Sequence, residues 1–328
     1  MELRTQTVKA VAVLFFVTAP ALAQTCQTAD DMDPATRTAL TNTAQRYYGM
    51  VTQGDVASLR QNAIAALTSN FGGIEAAVTD SKTNLQGTQS TPRSPYLLKA
   101  DGTVPLERAE FLCGVFNQSG QTSNSAVFVI PNLPPGNYAI TILDATTPKG
   151  PYSVSFVLQQ VGTAWKLAGF HVKATQGAGH DGQWYATRAR EFKTKGQMRN
   201  AWLYAAQARE LLVPVPFMST LATDKVYDEF QSVKPADLPP PDITAGGKTF
   251  KITSMYPLPV NNELDLIVKY STADISNTAQ TFQDNQAIIK ALVAKYPEFR
   301  DAFDSVVVRG VEPSGRDFGS LLPMKEIK

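Results

Sequence analysis

The sequence is poor in the side chains that usually build catalytic and metal sites. Its 328 residues include only two histidines and two cysteines. It contains no HExxH zinc motif, no GxSxG nucleophile elbow and no serine–lysine signature of penicillin-recognising enzymes. These absences favour a non-enzymatic binding or structural protein over an enzyme. They also predict no cofactor and no metal site.

An excess of charge of one sign is missing as well. The chain has 30 Lys and Arg against 29 Asp and Glu, a formal net charge of +1. Nucleic acids and anionic membranes attract proteins with a clustered basic excess, so no nucleic-acid partner is expected. After residue 23, no uncharged apolar run approaches the roughly 20 residues of a transmembrane helix. The mature chain is therefore predicted to have no transmembrane segment.

Residues 1–23 have the pattern of a secretory signal peptide. Arg4 and Lys9 form a basic start, an apolar run follows over residues 10–17, and small residues at 21–23 suit signal-peptidase cleavage. We expect cleavage near Ala23 and export to the periplasm or the extracellular medium, where the mature protein is soluble. Its partner would be a small ligand or a protein of the cell envelope.

Both cysteines, Cys26 and Cys113, follow the predicted cleavage site. In an oxidising compartment an even pair favours a disulfide, with two buried free thiols as the alternative. A bridge would tie the N-terminal tail to a strand. The residues before Cys26 lack the leucine and small-residue pattern of lipoprotein processing, so lipid attachment is not expected.

The periodicity changes from helical to alternating along residues 34–174. Asp33 and Pro34 predict a helix start, and the Gly54–Asp55 pair predicts the joint to a second helix. Alternating apolar residues then predict a set of antiparallel strands. Their ranges are 111–116, 126–130, 138–143, 152–158 and 165–172. A change of parity at 168–169 predicts a β-bulge that curves the sheet.

Residues 34–174 resemble the nuclear transport factor 2-like family. The likeness rests on the Tyr47–Tyr48 pair, the Gly54–Asp55 joint and the strand segment 162–171. It implies an α+β fold in which a curved antiparallel sheet forms a cone on N-terminal helices. The turn at 134–136 departs from the family toward β-sandwich modules, which remain the alternative.

The resemblance also implies candidate site residues. His171 would lie near the end of a strand whose concave face lines a pocket in enzymes of this family, and histidine titrates near neutral pH. The alternative function is therefore a small pocket hydrolase or isomerase that uses His171; a packed histidine is the other interpretation. Trp165, Tyr47 and Tyr48 are candidate ligand-binding aromatics, although their spacing equally suits a core. His171 and His180 with nearby acids form a weaker metal hypothesis.

Residues 177–182 fit the GxGxxG pattern of dinucleotide-binding proteins. That fingerprint requires a βαβ unit, whereas a second helix is predicted to follow here. We therefore predict a glycine turn in which Asp181 caps the next helix.

The rest of the chain predicts further units. Residues 181–213 resemble one tetratricopeptide unit, a helical hairpin that we assign to an N-terminal α+β module at 24–232. A Pro- and Gly-rich linker is predicted at 233–247. A C-terminal β-β-α-β-β module is predicted at 248–328. The complete chain also resembles exported bacterial proteins, a likeness that implies no activity.

Overall fold

A computed structural model of the protein describes residues 24–231, 234–260 and 262–328. The fold is mixed α+β with 36% helix and 40% strand, which confirms the predicted class. The predicted signal peptide at residues 1–23 lies outside the described residues. Across the described ranges, no helix has both the length and the hydropathy needed to cross a membrane.

Eight α-helices are found in the described part of the chain. They are α1 Pro34–Gln53, α2 Val56–Gln61, α3 Ala65–Thr68, α4 Gly72–Leu85, α5 Gly182–Thr194, α6 Met198–Leu212, α7 Leu221–Gln231 and α8 Thr278–Lys295. Short 3₁₀ helices follow at Pro297–Asp301 and Met324–Glu326.

Ten strands precede the helical hairpin α5–α6, and six follow it, counted over the same residues. The first ten are β1 Gln24–Gln27, β2 Ser90–Pro92, β3 Tyr96–Ala100, β4 Leu106–Asn117, β5 Gly120–Leu133, β6 Gly136–Thr147, β7 Gly150–Val161, β8 Ala164–Ala174, β9 Gln176–Gly177 and β10 His180–Asp181. The last six are β11 Met218–Thr220, β12 Asp242–Ala245, β13 Lys248–Val260, β14 Glu263–Ser271, β15 Ser305–Val311 and β16 Asp317–Pro323.

The first helix begins and ends, and the second begins, at the residues that the sequence predicted. The Asp33 carboxylate accepts a hydrogen bond from the Thr36 amide and caps α1. Gly54 ends α1 at a φ of +69°, a left-handed conformation that favours glycine. Asp55 then caps α2 by accepting from the Ser58 amide.

The N-terminal strands form two main sheets. The first sheet has the order β1-β3-β6-β7-β8, with β2 beside β6, and the second has the order β11-β5-β4. All pairs in both sheets are antiparallel. The β7–β8 register shifts between Val157 and Leu158, opposite the Leu167 to Gly169 stretch. This is the predicted bulge.

The first sheet is buried on both faces. On one face, Phe156 and Leu167 pack with Leu40 and Tyr47 of α1 in a cluster that also includes α2 and α4. On the other face, residues such as Ile140 pack on the second sheet. The N-terminal half therefore has three layers: the helices, the first sheet and the second sheet.

The Cys26–Cys113 disulfide joins the two sheets. It links β1 of the first sheet to β4 of the second, with the two Cα atoms 5.1 Å apart. This confirms the predicted bridge, and a disulfide is consistent with an exported protein.

The C-terminal strands form one sheet of order β12-β13-β14-β15-β16. β14 and β15 run parallel, and α8 connects them; the other pairs are antiparallel. β12 falls inside the predicted linker 233–247 and pairs with β13, so the proline-rich segment is shorter than predicted. Ile243 and Ala245 are buried in the core, which explains why this stretch forms a strand.

The helical hairpin α5–α6 differs from its predicted assignment to the module 24–232. Its buried residues, including Tyr204 and Leu211, belong to the same core cluster as the C-terminal sheet. Asn200 Nδ2 donates to the Glu298 carbonyl at 2.6 Å, and the Arg199 guanidinium pairs with the Glu298 carboxylate at 2.9 Å. Helical periodicity reports which residues are buried, but not which distant segment buries them.

We expect the Cys26→Ser/Cys113→Ser double variant to unfold at lower urea concentration than the wild type. The two cysteines are 87 residues apart, and opening a loop of that length lowers the free energy of unfolding by about 4 kcal/mol. Urea denaturation of both proteins, followed by circular dichroism, measures the difference. Wild-type protein treated with reductant is the control and should approach the variant; equal unfolding free energies would contradict the prediction.

Candidate functional site

A row of side chains crosses the first sheet near one end. Thr25 of β1 lies opposite Lys99 of β3, which lies opposite Asn137 of β6. Gln160 of β7 lies opposite Trp165 of β8. The Asn137 amide nitrogen donates to Gln160 Oε1 at 2.9 Å and joins the two halves. We call these five side chains, on five adjacent strands, the polar row.

The polar row shares the helix-facing side of the sheet. Side chains two positions apart along a strand point to the same face. Leu97, Leu158 and Leu167, each two positions from a member of the row, pack in the cluster with α1, α2 and α4. The row therefore continues the core face into the region that the helices leave uncovered.

The polar row lines a cleft of about 260 Å³. Gln27, Thr36 and Leu97 complete its walls. A second cleft of about 480 Å³ includes Asp101 and shares Asn137 and Gln160 with the first. The two clefts therefore adjoin at the hydrogen-bonded amide pair.

The charges at the cleft are neutralised locally. Lys99 Nζ lies 3.1 Å from Asp101 Oδ1. At the start of α1, the hydrogen bonds from Thr36 hold the pKa of Asp33 below its usual range. The Asp33 carboxylate is therefore ionised and already hydrogen-bonded to Thr36. The remaining polar groups of the cleft are the Trp165 indole N–H, which only donates, and amides and hydroxyls, each able to accept a hydrogen bond and to donate one.

The structure separates the three aromatic residues singled out in the sequence. Trp165 is half-buried and lines the cleft. Tyr47 is buried in the helix–sheet core, where its hydroxyl lies 3.1 Å from the Trp165 carbonyl oxygen and 3.2 Å from that of Asn62. Tyr48 is also buried and shares a hydrogen bond with the Thr88 hydroxyl at 2.6 Å. Burial raises the pKa of both tyrosines. Tyr47 thus supports the backbone of Trp165 without lining the cleft.

His171 lies away from the polar row. Its ring meets the edge of the Phe217 ring, with centroids 5.7 Å apart. Ser155 lies opposite it on β7, with a buried Oγ that has no hydrogen-bond partner among the described residues. Desolvation lowers the pKa of His171. Within the described ranges no carboxylate oxygen lies within 4.0 Å of a ring nitrogen to orient it as a base, and the catalytic role of His171 stays a prediction.

The glycine segment 177–182 forms a hairpin of β9 and β10 followed by α5. Asp181 caps α5 by accepting from the Trp184 amide at 2.8 Å, as the sequence predicted. His180 stacks on the Trp184 ring with centroids 3.6 Å apart. No group of three or more His, Cys, Asp or Glu side chains that could hold a metal ion occurs in the part of the chain that the structure describes.

No protein-family model matches the chain, and neither the curated proteins nor the solved structures include a significant match.

The sequence interpretation missed Thr25, Lys99, Asn137 and Gln160. A signal does exist for Lys99, Asn137 and Gln160, because each lies two positions from an apolar residue of its strand, where the apolar pattern has stopped. Reading that signal requires the strand order, which places five distant segments side by side. Strand order is a non-local property that periodicity does not contain.

We expect the free energy of unfolding to decrease as the pH is lowered from neutral to below about 6.5, and we expect His171 to be one cause. Burial lowers its pKa in the folded state, so the unfolded chain binds this proton more readily and gains stability relative to the fold as the pH falls. Urea denaturation at several pH values should show a weaker pH dependence for His171→Gln, with His180→Gln as the control. An NMR titration that gives His171 a pKa above about 6.5 would contradict this prediction.

Proposed function

We propose that the protein is an exported, non-enzymatic binding protein that holds a neutral polyhydroxylated ligand, of the saccharide class, at the polar row. The observation that carries the proposal is the row itself. It presents an indole ring, two amides, a hydroxyl and a paired ammonium group on five adjacent strands, beside a cleft of about 260 Å³. The predicted signal peptide and the disulfide support export.

The ligand class follows from the chemistry of this lining. Each hydroxyl of a saccharide both donates and accepts hydrogen bonds, and so does each amide side chain. The face of an indole carries negative charge density, which suits the C–H groups on the flat side of a sugar ring. A ligand with a net charge would need an unpaired counter-charge, whereas Lys99 is already paired with Asp101.

The cleft is also held in place before a ligand arrives. Its strands are hydrogen-bonded neighbours, the Asn137 and Gln160 amides bind each other, and the Tyr47 hydroxyl contacts the Trp165 carbonyl. Binding to a preformed site avoids the entropic cost of ordering loops and side chains. Such a platform suits recognition without chemistry.

We further propose that residues 34–174 form a nuclear transport factor 2-like cone. Support comes from α1, α2 and α4 packing on one face of an antiparallel sheet, and from the bulge that interrupts the β7–β8 pair. In this arrangement the cleft would open at the mouth of the cone, between the helix layer and the strand ends. The second sheet on the opposite face would be an addition to the family pattern.

We expect Trp165→Ala to abolish most saccharide binding. Truncating a central aromatic anchor costs about 2 kcal/mol, or roughly a thirtyfold loss of affinity. A glycan array with residues 24–328 would identify a binding saccharide, and titration calorimetry would compare the variants. Trp184→Ala is the matched control, since Trp184 is 38% exposed and lies in α5. If no glycan binds the wild type, or if Trp165→Ala binds as well as the wild type, the proposal fails.

A second pair of variants separates the two faces of β7. Gln160 lines the cleft, whereas the neighbouring Gln159 donates to the Tyr138 hydroxyl. We expect Gln160→Ala to weaken binding of the same saccharide by about 1 kcal/mol, the typical net contribution of a hydrogen bond. Gln159→Ala should leave the affinity unchanged. Calorimetry in which Gln159→Ala is the weaker binder of the two would place the ligand elsewhere.

A further inference from the structure

A separate cleft lies between α6 and α7, and the proposed saccharide site does not use it. Its volume is about 370 Å³, within the range of roughly 300–1,000 Å³ typical of small-molecule sites. Ala205, Val213, Val226 and Phe230 supply apolar lining, and the last two are almost completely buried. This lining would favour a hydrocarbon group over water.

Two cations stand over the aromatic walls of this cleft. The Arg209 guanidinium lies 5.1 Å from the centre of the Tyr227 ring. Lys234 Nζ lies 5.3 Å from the centre of the Trp202 ring. Cation–π attraction of this kind holds both charges near the rings. An apolar cleft therefore has positive charge at its rim.

These two cations lack carboxylate partners. Within the described residues, neither Arg209 nor Lys234 has an acidic oxygen within 4.0 Å. The one acid that lines the cleft, Glu210, is paired with Lys173 at 2.8 Å. The rim thus offers unpaired positive charge to a ligand, while the competing negative charge is already neutralised.

We infer that this cleft binds an amphipathic carboxylate with a medium-length alkyl chain. The chain lies on the floor formed by Ala205, Val226 and Phe230, the carboxylate binds the Arg209 guanidinium, and the Lys234 ammonium adds positive charge at the rim. A guanidinium can bind both oxygens of a carboxylate, which adds orientation to the charge attraction. An alkyl chain fits better than a flat aromatic body because Arg209 and Lys234 already cover the ring faces.

Decanoate is the probe, with decanol and decyltrimethylammonium as analogues of the same chain length. Titration calorimetry on residues 24–328, below the micelle concentrations, should show decanoate binding about tenfold more tightly than decanol, the loss expected when one charge-assisted hydrogen bond is removed. Decyltrimethylammonium should not bind. Added salt should weaken decanoate binding, because salt screens exposed charges.

Variants locate the site. Arg209→Gln should weaken decanoate binding about tenfold or more, as expected when a charge-assisted hydrogen bond is lost. Lys234→Gln should weaken it about threefold, as expected when an exposed attractive charge is lost. Lys225→Gln, in α7 but outside this cleft, is the matched control and should bind like the wild type. Ala206→Phe fills the cleft from an exposed position of α6 and should block binding without disturbing the core.

Three outcomes would contradict binding of decanoate at this cleft. They are that wild-type protein does not bind decanoate, that the Arg209→Gln/Lys234→Gln double variant binds it as tightly as the wild type, and that Lys225→Gln weakens binding to the same extent. Trp165→Ala should leave decanoate binding intact, so failure of the saccharide proposal and failure of this one are distinguishable.

Discussion

The burial of the first sheet on both faces is the constraint on which the rest of the N-terminal half depends. The helices cover one face and the second sheet covers the other, so the middle of each strand is mostly apolar on both sides, with Thr141, Ser153 and Ser155 as small buried exceptions. Burying a polar group without a hydrogen bond costs free energy, so the larger polar side chains lie beyond the covered area, toward the strand ends. The polar row occupies such an end, and the cleft is the space that remains where α1 stops covering the sheet.

Local features of this fold could be predicted from the sequence because their causes are local. Asp33 and Asp55 cap helices through bonds to amides three residues away, and the β8 bulge shows as a change of parity within one strand. The cores could not be assigned in the same way. The hairpin α5–α6 has the apolar pattern of a buried unit, yet its partner is the C-terminal sheet, beyond the proline-rich segment. Periodicity predicts that a face of a helix or strand is buried. Only the tertiary fold shows which other segment packs against that face.

In the candidate site, too, some residues could be recognised from local sequence and others only from the tertiary fold. Trp165 could be singled out because an aromatic residue at a strand end is conspicuous in a sequence, but Tyr47 and Tyr48 were equally conspicuous and belong to the core. The other members of the polar row are common residues whose meaning comes from their neighbours across the sheet. Asn137 and Gln160 are 23 residues apart in sequence and share a hydrogen bond only because β6 pairs with β7.

The disulfide lies directly behind one wall of the cleft. Cys26 lies between Thr25 and Gln27, whose side chains point to the opposite face of β1 and line the cleft. β1 is a four-residue edge strand that pairs with β3 alone, so its own ladder holds it weakly. The bond to Cys113 anchors it to the second sheet. In a reducing compartment that anchor would be lost, and β1 would be held by its pairing with β3 and by the hydrogen bond from the Glu110 amide to Gln24. The disulfide therefore stabilises the strand that forms one wall of the cleft, as well as joining the two sheets.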